Sequence, residues 1–388
     1  SEMFVVLFFL MLVAVIAADY CFWRRADVSS CRRVVLAVCL IVSHLPVIAM
    51  LLSILLIRDN TTDAMFVGMW LFWTWLLLLL PRLFYYLFRW IRLPCVGLVV
   101  AVGVAGLLVW GATVGRTALH VNRVEVCSAK LPSTFDGMRI VQLSDMHVGT
   151  IVSPERELRR IVDSVEALQP DLIVFTGDLV NVRSSELTDR IALSLRHLQA
   201  PYGVASVIGN HDSGVYIKDT VRQLPAESLC EVVAWQRAQG WRVLEDTTVY
   251  LVRGRDSISL SGISFDPVLR KKRHDSELPP ARLDVVYQGV PDSLFNITAV
   301  HLPQLWQQIV ESGYGDLTLA GHVHAMQMKV RLFGGAISPA RLLYERWSGR
   351  YEEGAHTLYI NDGTGYVAYP MRLGAWPEIT LITLRRCE

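Results

Sequence analysis

Charge is scarce in this sequence, and scarcest at its start. Charged residues make up 19% of the 388 positions and hydrophobic residues 52%, whereas soluble domains carry about 25% charged residues. The first third is nearly free of acids. That uneven deficit excludes a single ordinary soluble domain and points to membrane segments. A basic surplus is also missing. The formal net charge of +1 argues against a nucleic-acid partner, because such domains usually show a strong basic excess. No Cys-x-x-Cys pair occurs among the seven cysteines, so neither a zinc knuckle nor a thioredoxin-like motif is indicated. Cys21, Cys31, Cys39 and Cys95 lie in the apolar third, where cysteine behaves as a small hydrophobe. Cys127, Cys230 and Cys387 remain for a globular part, and one disulfide among them is left open. Internal repeats and low-complexity tracts are absent.

Four apolar runs are present instead: Met3 to Ala18, Val34 to Ile57, Ala64 to Phe88 and Pro94 to Val114. Each approaches or exceeds the ~20 residues that cross a hydrocarbon core. The first lacks the basic flank of a signal peptide and is read as a retained helix. Orientation follows from Lys and Arg in the short loops. Arg24, Arg25, Arg32 and Arg33 follow the first run, and Arg82, Arg89 and Arg92 mark the end of the third and the next loop. Those loops are expected in the cytoplasm, which places everything after Val114 outside it.

From about Thr117 short apolar runs alternate with amphipathic stretches, the pattern of an α/β domain. Strands are expected at Arg139–Ser144, Leu172–Thr176, Val204–Ile208, Ser257–Ile263, Phe295–Val300, Leu317–Ala320, His356–Ile360 and Ile379–Leu384. Helices are expected at Pro154–Leu168, with Ser153 as N-cap, and at Glu186–Leu198. Arg116 to Lys130 reads as a connector. The basic run Arg270 to Arg273 reads as a solvated loop or as a contact for anionic headgroups.

Five short motifs follow strand ends in order: Asp145-Met146-His147, Gly177-Asp178, Gly209-Asn210-His211-Asp212, His301, and Gly321-His322-Val323-His324. Alone, each reads as a turn or a core histidine. Together they place oxygen and imidazole donors where α/β folds bind ligands. The absence of thiols suits manganese, iron or zinc better than calcium or a structural zinc.

This order resembles the calcineurin-like metallophosphoesterase superfamily, from about Met138 to the C-terminus. His301-Leu302-Pro303 matches its H-x-P motif. The tail through Gly363-Thr364-Gly365, Met371-Arg372-Leu373-Gly374 and Pro377-Glu378-Ile379 is similar to a membrane-anchored YkuE-like subgroup and to transmembrane proteins with a metallophosphoesterase domain. The resemblance implies a four-layer αββα sandwich at 117–388, preceded by about four transmembrane helices at 1–116. It implies two divalent ions, manganese the first choice and zinc or iron the alternatives. One would sit on Asp145, His147, Asp178 and His324; the other on Asp178, Asn210, His301 and His322, with Asp178 shared. A hydroxide bridging the ions would attack phosphorus. His211 would act beside it, stabilising charge or protonating the leaving group, with Asp212 orienting His211 or merely forming a turn. Several branches place an acid where this chain has Asn181, which leaves the proton-transfer role of His211 weaker than the metal site.

The expected function is hydrolysis of a membrane-associated lipid or lipid-linked phosphate ester. The alternatives are an anchored phosphatase or phosphodiesterase of soluble esters and a non-enzymatic metal-binding scaffold. The expected partners are the bilayer and the phosphate-ester substrate. The expected place is a bacterial inner membrane, with the catalytic part on the periplasmic side.

Overall fold

The computed structural model of the chain describes residues 2–26, 28–56, 60–219, 223–271, 278–332 and 335–387. Lys272 and Arg273 of the basic run lie outside them. The chain divides into two compact units, one of Ser1–Arg58 and Val67–Trp110, the other of Asp59–Phe66 and Gly111–Glu388.

The helical unit is built from α1 (Glu2–Arg25), α2 (Ser30–Val42), α3 (Leu45–Leu56), α4 (Thr62–Trp90) and α5 (Pro94–Thr113). Ser43 and His44 separate α2 from α3 within the second apolar run. Among the described residues, three stretches are long and apolar enough to cross a membrane: Ser30–Ile54, Thr62–Trp90 and Pro94–Thr117. The first apolar run forms α1, which is not one of the three. A polar cluster lies inside this unit. Asp19 Oδ2 is 2.8 Å from His44 Nε2 and 3.0 Å from Arg82 Nη2. The Tyr86 hydroxyl donates to Asp19 Oδ1 at 2.8 Å, and the Trp75 indole donates to His44 Nδ1 at 3.3 Å. Arg82 also donates to the Ser43 hydroxyl.

The second unit is a mixed α/β sandwich of two six-stranded sheets. Its strands are β1 (His120–Ser128), β2 (Arg139–Leu143), β3 (Leu172–Phe175), β4 (Val204–Ser206), β5 (Arg242–Val243), β6 (Thr247–Arg253), β7 (Asp256–Ile263), β8 (Asn296–Val300), β9 (Leu317–Ala320), β10 (Val330–Leu332), β11 (Gly335–Ile337), β12 (Gly349–Glu353), β13 (His356–Ile360) and β14 (Glu378–Arg386). The sheet orders are β1-β14-β2-β3-β4-β5 and β12-β13-β9-β8-β7-β6. Alternate residues of each strand face opposite layers. Ile140, Leu172 and Val174 meet Ile297, Ala299, Leu317 and Leu319 between the sheets. Val141, Leu143, Ile173 and Phe175 face outward, onto α6 (Pro154–Ala167) and α7 (Pro225–Ala238). Val300, Ala320, Leu358 and Ile360 pack on the other outer side, with α8 (Trp306–Glu311). Burial on both faces explains why these strands read as short, largely apolar runs rather than as strict alternation.

The stretch expected to be a connector contains β1, which pairs in parallel with β14. Its pairing is at a sheet edge, and most of its side chains are exposed or half-buried, so no apolar run announces it. Cys127 at its end is bonded to Cys387, with Cα atoms 5.7 Å apart. Of the three cysteines left open by the sequence, Cys230 stays free.

Candidate metal centre

The strands β2, β3 and β4 run parallel in one sheet, and β8 and β9 run parallel in the other. Their C-terminal ends deliver all five motifs to one place. Asp145, His147, Asp178, Asn210, His301 and His324 are buried, while His211 and His322 are half-buried. The last two therefore mark the side of the site open to solvent.

The loops that present these groups are strained. Asp145, His147, Asp178, His322 and His324 all adopt positive φ, a conformation that costs non-glycine residues of order 1–3 kcal/mol each and clusters at functional sites. The motif glycines make room: a Cβ at Gly209 would overlap Asp178, and one at Gly321 would overlap Ser144 and Asp145.

Two groups of donors form, with Asp178 a member of the second and close to the first. His324 Nε2 lies 3.0 Å from His147 Nε2 and 3.1 Å from Asp145 Oδ1. His147 Nε2 lies 3.8 Å from Asp178 Oδ2. On the other side, Asp178 Oδ2 is 3.2 Å from His301 Nε2, and Asn210 Oδ1 is 2.8 Å from both His301 Nε2 and His322 Nδ1. The Asn210 amide nitrogen donates to the Tyr216 hydroxyl at 2.9 Å, which turns its oxygen inward. His301 Nδ1 donates to the Thr176 carbonyl at 2.8 Å, leaving Nε2 as the inward lone pair, the tautomer a ligand needs.

Ring nitrogens and oxygens thus crowd within hydrogen-bond distance at several points, and His147 Nδ1 has no hydrogen-bond partner. Such crowding is costly unless protons or cations lie between the donors. The donor set, oxygen and imidazole without sulfur, fits divalent ions. Electrostatics agree. Burial alone would raise Asp145 and Asp178, but the surrounding imidazoles hold both well below the usual carboxylate range. Burial and neighbouring histidines push His147 well down and His322 down to about 3. Burial would lower His301 too, yet Asp178 and Asp145 lift it to about 9. The field that holds a proton there is one that favours a metal cation.

His211 and Asp212 diverge. His211 Nδ1 donates to the Asn181 carbonyl at 2.5 Å, and its ring stacks on Tyr216 at 4.3 Å. The orienting partner is backbone, so the identity of side chain 181 matters little there. Asp212 does not orient His211 by its side chain. Its carboxylate accepts the backbone N–H groups of Asp178, Leu179, Val180 and Gly209 at 2.8–3.0 Å. It fixes the loop that carries Asp178, a positioning role set by those four orphan amides.

Sequence reasoning missed two further supports. Glu186 accepts from the backbone amides of Asn181, Val182 and Arg183. Arg372, fully buried, donates to the carbonyls of Asp362, Gly365 and Ala375 and lies 3.2 Å from His324 Nδ1. Both act on backbone atoms three to ten residues away, which no side-chain motif displays.

Comparison with known proteins meets this geometry. The family profile described as calcineurin-like phosphoesterase matches residues 138–326. The chain carries a calcineurin-like phosphoesterase domain. The uncharacterized metallophosphoesterase YkuE of Bacillus subtilis is 29% identical over 261 residues, covering 66% of this chain and 82% of the relative. A transmembrane protein with metallophosphoesterase domain from Danio rerio is 31% identical over 289 residues, 73% of this chain. The match spans 61% of that relative's length. The UDP-2,3-diacylglucosamine pyrophosphatase LpxG of Chlamydia trachomatis is 34% identical over 109 residues, 28% of this chain and 33% of that protein. The phosphoesterase domain is thus that of a hydrolase, in a chain with apolar helices long enough to span a membrane.

Proposed function

We propose that this phosphoesterase domain hydrolyses a lipid or lipid-linked phosphate ester at the membrane that holds it, with two divalent cations in its site. The observation that carries the reading is the convergence of seven oxygen and imidazole donors with Asp178 between the two groups. Asp145, His147, Asp178 and His324 would hold one ion, and Asp178, Asn210, His301 and His322 the other, manganese being the first choice. With both cations bound, the site gains Lewis-acid activation of water and a clamp for phosphoryl oxygens. His211, fixed through Nδ1, offers Nε2 near Asp178 and His147, where it can hold a proton for the leaving oxygen. Burial lowers its affinity for a proton.

The lipid substrate is supported by the apolar helices in the same chain and by the relative named a UDP-2,3-diacylglucosamine pyrophosphatase. A bacterial inner membrane with a periplasmic site is supported by the basic loops and by the Cys127–Cys387 disulfide, since disulfides persist in oxidising compartments. The division of labour proposed is transmembrane anchor at 1–116 and catalysis at 117–388.

The test is hydrolysis by detergent-purified, chelator-stripped protein after adding back Mn, Zn, Fe(II) or Mg. A chromogenic monoester, a chromogenic diester and a diacyl sugar diphosphate are offered in parallel. The reading expects metal-restored turnover, fastest with the lipid. Faster turnover of the soluble esters would overturn the lipid assignment, and metal-independent turnover would overturn the mechanism.

A further inference from the structure

Within the same unit, a cavity of about 220 Å³ is lined by His120, Asn122, Lys329, Arg331, Trp376 and Glu378. None of these is a donor of the candidate metal centre. Lys329 and Arg331 come from the segment at β10, His120 and Asn122 from β1, and Trp376 and Glu378 from the approach to β14 and its start. At a liquid-water share of about 30 Å³ per molecule, the space would hold roughly seven waters, the scale of one sugar ring.

Its walls divide the chemistry. Lys329 pairs with the buried carboxylate of Asp362 and donates to Ser348 at 2.9 Å. Glu378 accepts from Tyr359 at 2.6 Å and from Thr380 at 2.7 Å. Asp362 is therefore paired with a cation, whereas Glu378 is satisfied by neutral donors. Arg331 is exposed at the rim and has no acidic partner among the described residues, so it supplies the uncompensated positive charge. Trp376 stacks on His120 with centroids 6.0 Å apart and planes 19° apart, giving a flat aromatic wall. A cation beside a flat aromatic wall suits one ligand type. An anionic group meets the guanidinium, and the aliphatic face of a ring lies on the indole; the Asn122 side chain is hydrogen-bonded to Glu378.

We propose that this cavity binds a phosphorylated sugar, with Arg331 on the phosphate and Trp376 against the ring. The ligand is either a soluble sugar phosphate or the headgroup of a glycophospholipid. The inference does not rest on the hydrolase reading, because it uses no residue of the metal centre.

The test is calorimetric titration of the full-length, chelator-stripped protein in phosphatidylcholine nanodiscs with glucose 6-phosphate, glucose and inorganic phosphate. Glucose 6-phosphate should bind one per chain and more tightly than either fragment. Arg331→Ala, an exposed site, should weaken it by about tenfold or more, the loss of one charge-assisted hydrogen bond. Trp376→Ala should weaken glucose 6-phosphate binding while sparing inorganic phosphate. Discs doped with a phosphoinositide should compete if the ligand is a lipid headgroup and should not if it is soluble; either outcome supports the cavity. No saturable binding, or an affinity unchanged in Arg331→Ala, overturns the proposal. Stripped protein cannot turn over ester, so that failure leaves the hydrolase reading untouched.

Discussion

Asp19 and Asp178 are both buried carboxylates with histidine beside them, yet their surroundings follow different rules. Around Asp19 the charges close. Arg82 opposes the carboxylate, Tyr86 donates to it, and the Trp75 indole takes the far nitrogen of His44. Around Asp178 the groups are nearly all electron-pair donors. Asp145, Asn210 and four imidazoles converge without a buried lysine or arginine at their centre. The first cluster is complete as a folded object, and it ties helices together in an apolar setting where unpaired charge is expensive. The second has the donor set that divalent cations would complete. Burial and histidine content are common to both, so neither identifies a metal site. The sign of the uncompensated chemistry does.

Substitutions can break or sharpen that contrast. The largest effect belongs to Asp178. Asp178→Asn removes the shared ligand and should lower metal-dependent turnover by about a thousandfold or more, measured with the ester that wild-type protein hydrolyses. No second substitution nearby should restore it. Asp19→Asn should instead cost stability, about 3–5 kcal/mol, because Arg82 is left as a buried unmatched charge. The double change Asp19→Leu with Arg82→Met should recover most of that loss in detergent unfolding curves. If the double variant is no better than the single one, the cluster around Asp19 is not a closed pair.

Two smaller effects address the scaffold. Cys127→Ser opens a loop of 260 residues and should lower stability by about 2–4 kcal/mol with little change in turnover, read by thermal melts with and without reductant. Glu186 gives a pH signature. Burial, the largest influence, pushes its carboxyl from 4.5 up to about 7 against the amides that favour the ion. A raised acid binds its proton more tightly in the folded state. Its contribution is therefore full below about pH 4.5 and is lost as pH rises through about 7, on the order of 3 kcal/mol. Glu186→Gln should flatten the wild-type decline in stability across that window, and an unchanged slope would rule the group out.

The donors of the candidate site were legible because each is an oxygen or imidazole residue one to four positions beyond a strand. The strands were legible because burial on both faces makes β2, β3, β8 and β9 short, largely apolar runs. β1 escaped because an edge strand with exposed side chains carries no such run. The role of Asp212 escaped because its four partners are backbone amides, which no sequence displays. Arg372 stood in a recognised stretch of the tail, but its work on the carbonyls near His324 depends on a fold that joins positions 48 residues apart.

The central claim is that two cations share Asp178. The most direct measurement is electron paramagnetic resonance of stripped protein titrated with Mn(II). The account predicts an exchange-coupled two-ion signal at two equivalents, lost in Asp178→Asn. Isolated single-ion signals in the wild-type protein, or no bound manganese at all, would contradict it.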